Sequence, residues 1–237
     1  MDAMLLLIIF SMIFVLGHLV LSGPLRSTLS TLLGEKGYLA IFSIIAIVSL
    51  TVLVWGYREL PRYYYFWEPR LFFLWVPALL MPFSCILLTG TILSRNPKTT
   101  LVEANSSFQE DGLDSHTGIY RITRHPIQWS IIIWAVSHLV SNGDRSSVVF
   151  FSSFLVLSLC GTVFSDRRKA QRNNEKWLPI ANHTSNIPFV AILERRNRFL
   201  LSELTPMILI GILLFFTIVW LHEYLSGVPI SFLYFEL

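Results

Sequence analysis

Six apolar runs, at about 4–21, 38–56, 71–91, 127–141, 147–165 and 206–225, constrain this chain more than any motif in it. A helix of roughly 18 or more such residues crosses the hydrocarbon layer of a bilayer, and 237 residues offer too little polar sequence to bury so many of them in water. The fourth run is the exception. At 1.5 Å per residue it covers about 22 Å, so interface must flank it or its tilt must be small. Charged residues make up 14% of the chain, against about 25% in soluble domains, which agrees with a bilayer as solvent. The expectation is an all-α, polytopic membrane helical bundle, residues 1–237 forming a single transmembrane domain with an amphipathic segment at 166–205.

The opening residues "MDAM" lack a positive n-region, so the first run is expected to remain as a span. "LGEKG" at 33–37 reads as a turn into the second span, and "SNGD" at 141–144 as the turn between the fourth and fifth. "RYYYFWEPR" at 62–70 reads as an interfacial aromatic belt, and Pro77 and Pro82 should bend the third span. Cys85 and Cys160 fall inside apolar runs without a CxxC or CxxCH spacing, which leaves them as packing thiols.

Lys and Arg set the orientation. With six spans, the loops 22–37, 92–126 and 166–205 share one side with 14 basic residues, and the other side has 4. The positive-inside rule then puts both termini outside. A net charge of +3 needs no nucleic acid to explain it. "DRRKAQR" at 166–172 reads as a membrane-surface charge run, and the N-x-S/T matches at Asn105 and Asn182 fall on the inner side.

The six histidines sort by depth. His18 and His125 fall in the inner leaflet, His138 and His222 toward the outer face, and His116 and His183 in inner loops. Ser11, His18 and Ser22 lie on one face of the first span, a polar stripe that should look into the bundle. In "TGIYRITRHPIQWS" (117–130), Pro126 suits the first helical position and makes His125 the cap. The positive end of the helix dipole keeps that imidazole neutral, the form that binds metal. Two neutral histidines, an apolar pocket and a rim of Arg26, Arg121 and Arg124 for propionates match the needs of a haem b, with His18 and His125 as metal ligands. The bland readings stay beside this one. His18 as a satisfied helix-end histidine and the arginines as topology signals explain the same residues. His138, on a stripe with Ser130, Trp134, Ser137 and Ser141, reads as an interhelical hydrogen bond, and Ser158, Gly161, Thr162 and Ser165 as close helix packing.

Three segments, "GHLVLSGPLRSTLSTLLGEKGYLAIFS" (17–43), "GIYRITRHPIQWSIIIWAVSHLVSNGD" (118–144) and "TSNIPFVAI" (184–192), together resemble the NnrU family of integral membrane proteins. That resemblance implies a bacterial inner-membrane protein associated with nitrite and nitric oxide reduction in denitrification. It also implies kinship with a cis-zeta-carotene isomerase whose non-covalent haem b, when reduced, promotes isomerisation of a carotenoid double bond. By position in the matching motifs, His18 and His125 are the implied iron ligands. Partners would then be membrane lipid, a carotenoid or other apolar substrate, and respiratory enzymes. Two alternatives remain. "YRITRHPIQW" is also similar to the Arg-His-Pro segment of membrane methyltransferases that modify isoprenylcysteine or phospholipid, and a non-catalytic respiratory assembly factor fits the same composition.

Overall fold

The computed structural model describes residues 3–60, 64–68, 70–94 and 117–227. They form α1 (Ala3–Ser22), α2 (Arg26–Glu59), α3 (Leu71–Leu93), a 3₁₀ turn (Gly118–Arg121), α4 (Pro126–Ser141), α5 (Arg145–Arg172), α6 (Asn174–His183), α7 (Val190–Leu193) and α8 (Leu201–Ser226). Five of these, α1, α2, α3, α5 and α8, carry stretches long and apolar enough to cross a membrane, and α4 is the short apolar sixth. Asn105 and His116 lie outside the described residues.

Two boundaries differ from expectation. The "LGEKG" turn shrinks to one residue, Gly34, with φ 70° and ψ 163°, and α2 is helical on both sides of it. Only glycine reaches that backbone conformation without steric cost, so a single residue does the work of a loop. At its far end α5 runs on through "DRRKAQR", so the charge run is the last turns of a helix and not a separate loop. α3 contains both Pro77 and Pro82 and continues past them.

The helices do not ring a common centre. They pack side by side in the order α2, α1, α5, α4, α3, α8, so α5 stands between α1 and α4 and touches both. Small and polar residues knit the neighbours, as apolar lipid offers no hydrophobic drive to join helices. Ser84 of α3 donates to the Ser130 carbonyl of α4 at 2.8 Å, and Ser130 returns a bond to the Ser84 carbonyl at 2.9 Å. Thr89 donates to the Met207 carbonyl of α8 at 3.1 Å. Tyr57 of α2 meets the Ser147 hydroxyl of α5 at 2.8 Å. Phe14 and Phe154 join α1 to α5, and Trp134 joins α4 to Phe150, Phe151 and Phe154.

Gly211 shows how close α8 comes to α3: a Cβ there would lie 2.7 Å from the Ile86 Cα. Backbone cannot yield as a side-chain tip can. Gly211→Ala is therefore expected to cost about 1–3 kcal/mol of stability, seen as a lowered unfolding midpoint in detergent, while Gly17→Ala, whose Cβ would sit 3.9 Å from its nearest neighbour, changes little.

At the opposite end of the array from the Arg-His-Pro loop, the turn "SNGD" is held by a strap. Phe66 donates its N–H to the Gly143 carbonyl at 2.8 Å and Arg145 to the Tyr64 carbonyl at 2.9 Å. The Trp67 indole donates to the Val140 carbonyl at 3.2 Å. Asp144, almost wholly buried, caps α5 by accepting from the Ser147 N–H at 2.9 Å.

Candidate functional site: an arginine–histidine–carboxylate cluster at the mouth of α4

The loop before α4 turns tightly because Gly118 takes φ +56° and opens the 3₁₀ turn. Pro126 then starts α4 with its φ already helical, and His125 is the cap. Across from this loop runs the 184–189 segment. Arg124 donates its N–H to the Ser185 carbonyl at 2.9 Å, Phe189 returns one to the Ile122 carbonyl at 2.8 Å, and the Trp129 indole reaches Asn186 Oδ1 at 3.2 Å. "RITRHP" and "TSNIPF", about 60 residues apart in sequence, are thereby joined into one layer.

His125, only 3% exposed, points its Nε2 at Asp166 Oδ1 at 2.7 Å. Arg124 grips the same carboxylate through Nε at 2.9 Å and Nη2 at 2.6 Å, and reaches the Thr184 carbonyl with Nη1. A carboxylate accepts only, so Nε2 of His125 is the protonated nitrogen. Burial is the main influence on this imidazole and holds it below its ordinary value of 6.5, with Asp166 pulling the other way. The folded form is thus neutral. As pH falls from 6.5, the unfolded chain takes up a proton that the folded chain refuses, so stability declines as pH drops through the folded value and is unaffected above 6.5. Unfolding in detergent at stepped pH should show that slope, and His125→Gln should lack it.

The other two arginines are also engaged. Arg121 forms a fork with Glu203, Nε to Oε2 at 2.8 Å and Nη2 to Oε1 at 2.9 Å, and adds Asn197 at 2.7 Å. Arg26 pairs with Glu35 and lies over the Tyr38 ring. Each arginine expected to face a propionate therefore already holds a carboxylate of this chain.

His18 stands apart from this cluster. Its Nδ1 is 2.7 Å from the Phe14 carbonyl, and its ring packs on Phe14 and Phe42. It does share an end of the array with His125. The Ser22 carbonyl, one turn from His18, accepts from Arg168, two residues beyond Asp166. His18 and His125 nonetheless engage different neighbours, and α5 stands between their helices.

A carbonyl can only accept, so His18 donates from Nδ1; in the neutral imidazole that leaves Nε2 with its lone pair. His138 repeats the arrangement, with Nδ1 2.8 Å from the Trp134 carbonyl. Its bond is within its own helix and not the interhelical one expected. Aromatic rings link α1 to α4 across α5: His18 touches Phe14, Phe14 and Trp134 both touch Phe154, and Trp134 touches His138, with centroids 4.6 to 5.3 Å apart at each step, so the two imidazoles lie at opposite ends of that chain of rings. In that neighbourhood Ser11 of α1 keeps a buried hydroxyl without a hydrogen-bond partner among the described residues. His222 and His183 bond within their own helices.

Asp166 and Glu203 were not singled out in the sequence, although they complete the cluster. Asp166 opens the charge run at the end of α5 and Glu203 lies in the first turn of α8, and an acid beside an apolar run serves as counter-ion for an arginine, which was the available signal.

A polytopic helical membrane protein with an arginine–carboxylate cluster at one end defines the class. The comparisons narrow it. The NnrU protein family model matches residues 6–230, and the chain belongs to that family. Over 81 residues, 34% of this chain, it is 38% identical to the chloroplastic 15-cis-zeta-carotene isomerase of Arabidopsis thaliana. It is 34% identical over 82 residues, 35% of this chain, to the same enzyme of Zea mays. In each case the match spans 22% of the relative's length. No solved structure matches.

Proposed function

We propose that this chain is a haem b-dependent membrane isomerase acting on the double bond of an apolar polyene, and that His18 would help hold the haem iron. The observation that carries the reading is the His18 hydrogen bond: Nδ1–H is committed to a backbone carbonyl, so that in the neutral imidazole Nε2 is available, the second-shell arrangement that ligating histidines adopt. Similarity to proteins named as 15-cis-zeta-carotene isomerases supports the reaction class. When bound, the group would supply a redox-poised iron able to polarise a polyene. The chain's own residues would hold that iron, with the packed rings of Phe14, Phe154 and Trp134 next to His18 keeping water out.

Two other histidines could hold the group together with His18. His125, implied by the family resemblance, is buried and neutral but must release Asp166, or ligate through Nδ1. His138 has the same Nδ1 bond to its own helix, but the Phe14, Phe154 and Trp134 rings stand between it and His18. Arg26, Arg121 and Arg124 would meet propionates only by giving up Glu35, Glu203 and Asp166. Placement in a bacterial inner membrane with both termini outward, and support of nitrite and nitric oxide reduction, belong to the same proposal.

The test is a reduced-minus-oxidised absorption spectrum, with pyridine haemochrome assay, on detergent-purified protein expressed with haem supplied. A colourless protein overturns the proposal. A coloured protein that leaves a cis polyene unchanged under reducing conditions retains the cofactor and loses the isomerase.

A further inference from the structure

The segment between α5 and α8 has no role in that chemistry, and its surface is of two kinds. α5 ends in the polar turns 166–172 and α8 begins at Leu201, so residues 173–200 connect two helices long and apolar enough to cross a membrane. They are also tied to the end of the array at two places. Trp177 of α6 is buried between the Arg124 guanidinium and the Lys169 ammonium, each 5.4 Å from its ring, and residues 185–189 pair with the Arg-His-Pro loop. What this mooring leaves outward is Leu178, Ile187, Leu193 and Phe199, all exposed, with Leu193 78% so. Beside them Lys176, Arg195 and Arg198 are exposed and make no ion pair among the described residues, while Arg196 takes Glu194 and α5 adds the exposed Arg167.

We infer that residues 173–200 form a platform that docks on the bilayer surface and selects anionic phospholipid headgroups. Large apolar side chains next to unpaired cations match the chemistry of that boundary: the chains enter the acyl margin and the cations reach lipid phosphates. Lys and Arg are suited to this, because their stems lie along apolar surface while the charge stays at the headgroups. The partner is phosphatidylglycerol or a lipid of like charge, not a protein, since both ends of the segment join helices long and apolar enough to cross a membrane.

The full chain in detergent, titrated with phosphatidylglycerol or phosphatidylcholine and read by native mass spectrometry, tests the headgroup selection. The wild type is expected to retain phosphatidylglycerol at least about tenfold better, consistent with roughly fivefold per basic residue at an anionic surface. Lys176→Gln, Arg195→Gln and Arg198→Gln together should abolish the preference, and the charge-preserving set Lys176→Arg, Arg195→Lys and Arg198→Lys should keep it. Equal retention of both lipids by the wild type, or an unchanged preference in the glutamine variant, overturns the inference. The apolar half is tested separately. A tryptophan placed by Leu193→Trp in phosphatidylglycerol vesicles should be quenched by shallow brominated lipid. Quenching by aqueous iodide instead overturns the docking, and a protein that covers this face in its place would give the same result.

Discussion

Asp166→Ala is expected to destabilise the chain by about 3–5 kcal/mol, the largest effect of any single polar substitution. The carboxylate is the shared acceptor of Arg124 and His125, and both it and Arg124 are less than one-fifth exposed. Its loss leaves a guanidinium in a poorly hydrated site with the Thr184 carbonyl and the Trp177 ring but no counter-ion, and removing one partner of such a pair costs more than the pair itself contributes. The layer formed by residues 122–125 and 184–189 loses its tie to α5 at the same time. The measurement is an unfolding curve in mixed detergent micelles, with Arg124→Met added in a second variant. The double variant should recover part of the loss, because an apolar side chain does not need the counter-ion. If Asp166→Ala costs less than about 1 kcal/mol, the cluster behaves as an exposed surface pair and has no organising part in the fold.

His18→Ala should have the opposite profile, with little effect on stability and a large one on the spectrum. The imidazole makes one hydrogen bond, to its own helix backbone, and is half-buried, so the fold should lose about 1 kcal/mol. The haem absorbance expected of the wild type should disappear or become that of a five-coordinate, weakly held group. Variants at the two other histidines discriminate between them. If His138→Ala abolishes the spectrum and His125→Ala keeps it, the aromatic layer around Phe154 marks the site. The reverse places the iron at the mouth of α4 and requires Asp166 to move. Colour that survives all three substitutions rules out His18 as a ligand.

The membrane architecture was legible in the sequence because apolar run length is a one-dimensional signal. Six runs became six apolar helices, with the short fourth among them, and the Pro126 helix start was read correctly from proline chemistry alone. What the sequence could not supply was adjacency. Hydropathy says that a helix is buried in lipid without saying which helix is beside it, and the side-by-side order follows from contacts such as Ser84 with Ser130 and Gly211 with Ile86. The same limit explains the arginines. Arg26, Arg121 and Arg124 stood out as cations near apolar runs, but their acceptors Glu35, Glu203 and Asp166 are 9, 82 and 42 residues away. Gly34 is a third case: a turn-like pentapeptide became one left-handed residue because helix on both sides outweighed its turn preference.

The place of α5 in the packing order has a consequence for biogenesis. During synthesis α1 with α2 and α3 with α4 emerge first, and each pair can close as an antiparallel hairpin within the bilayer. The element that lies between α1 and α4 arrives only afterwards and must insert between two partners already made. A ribosome-released fragment ending before Arg145 would therefore hold two hairpins joined through the short α2–α3 connection, without the helix that packs between α1 and α4, and open to quality-control proteases.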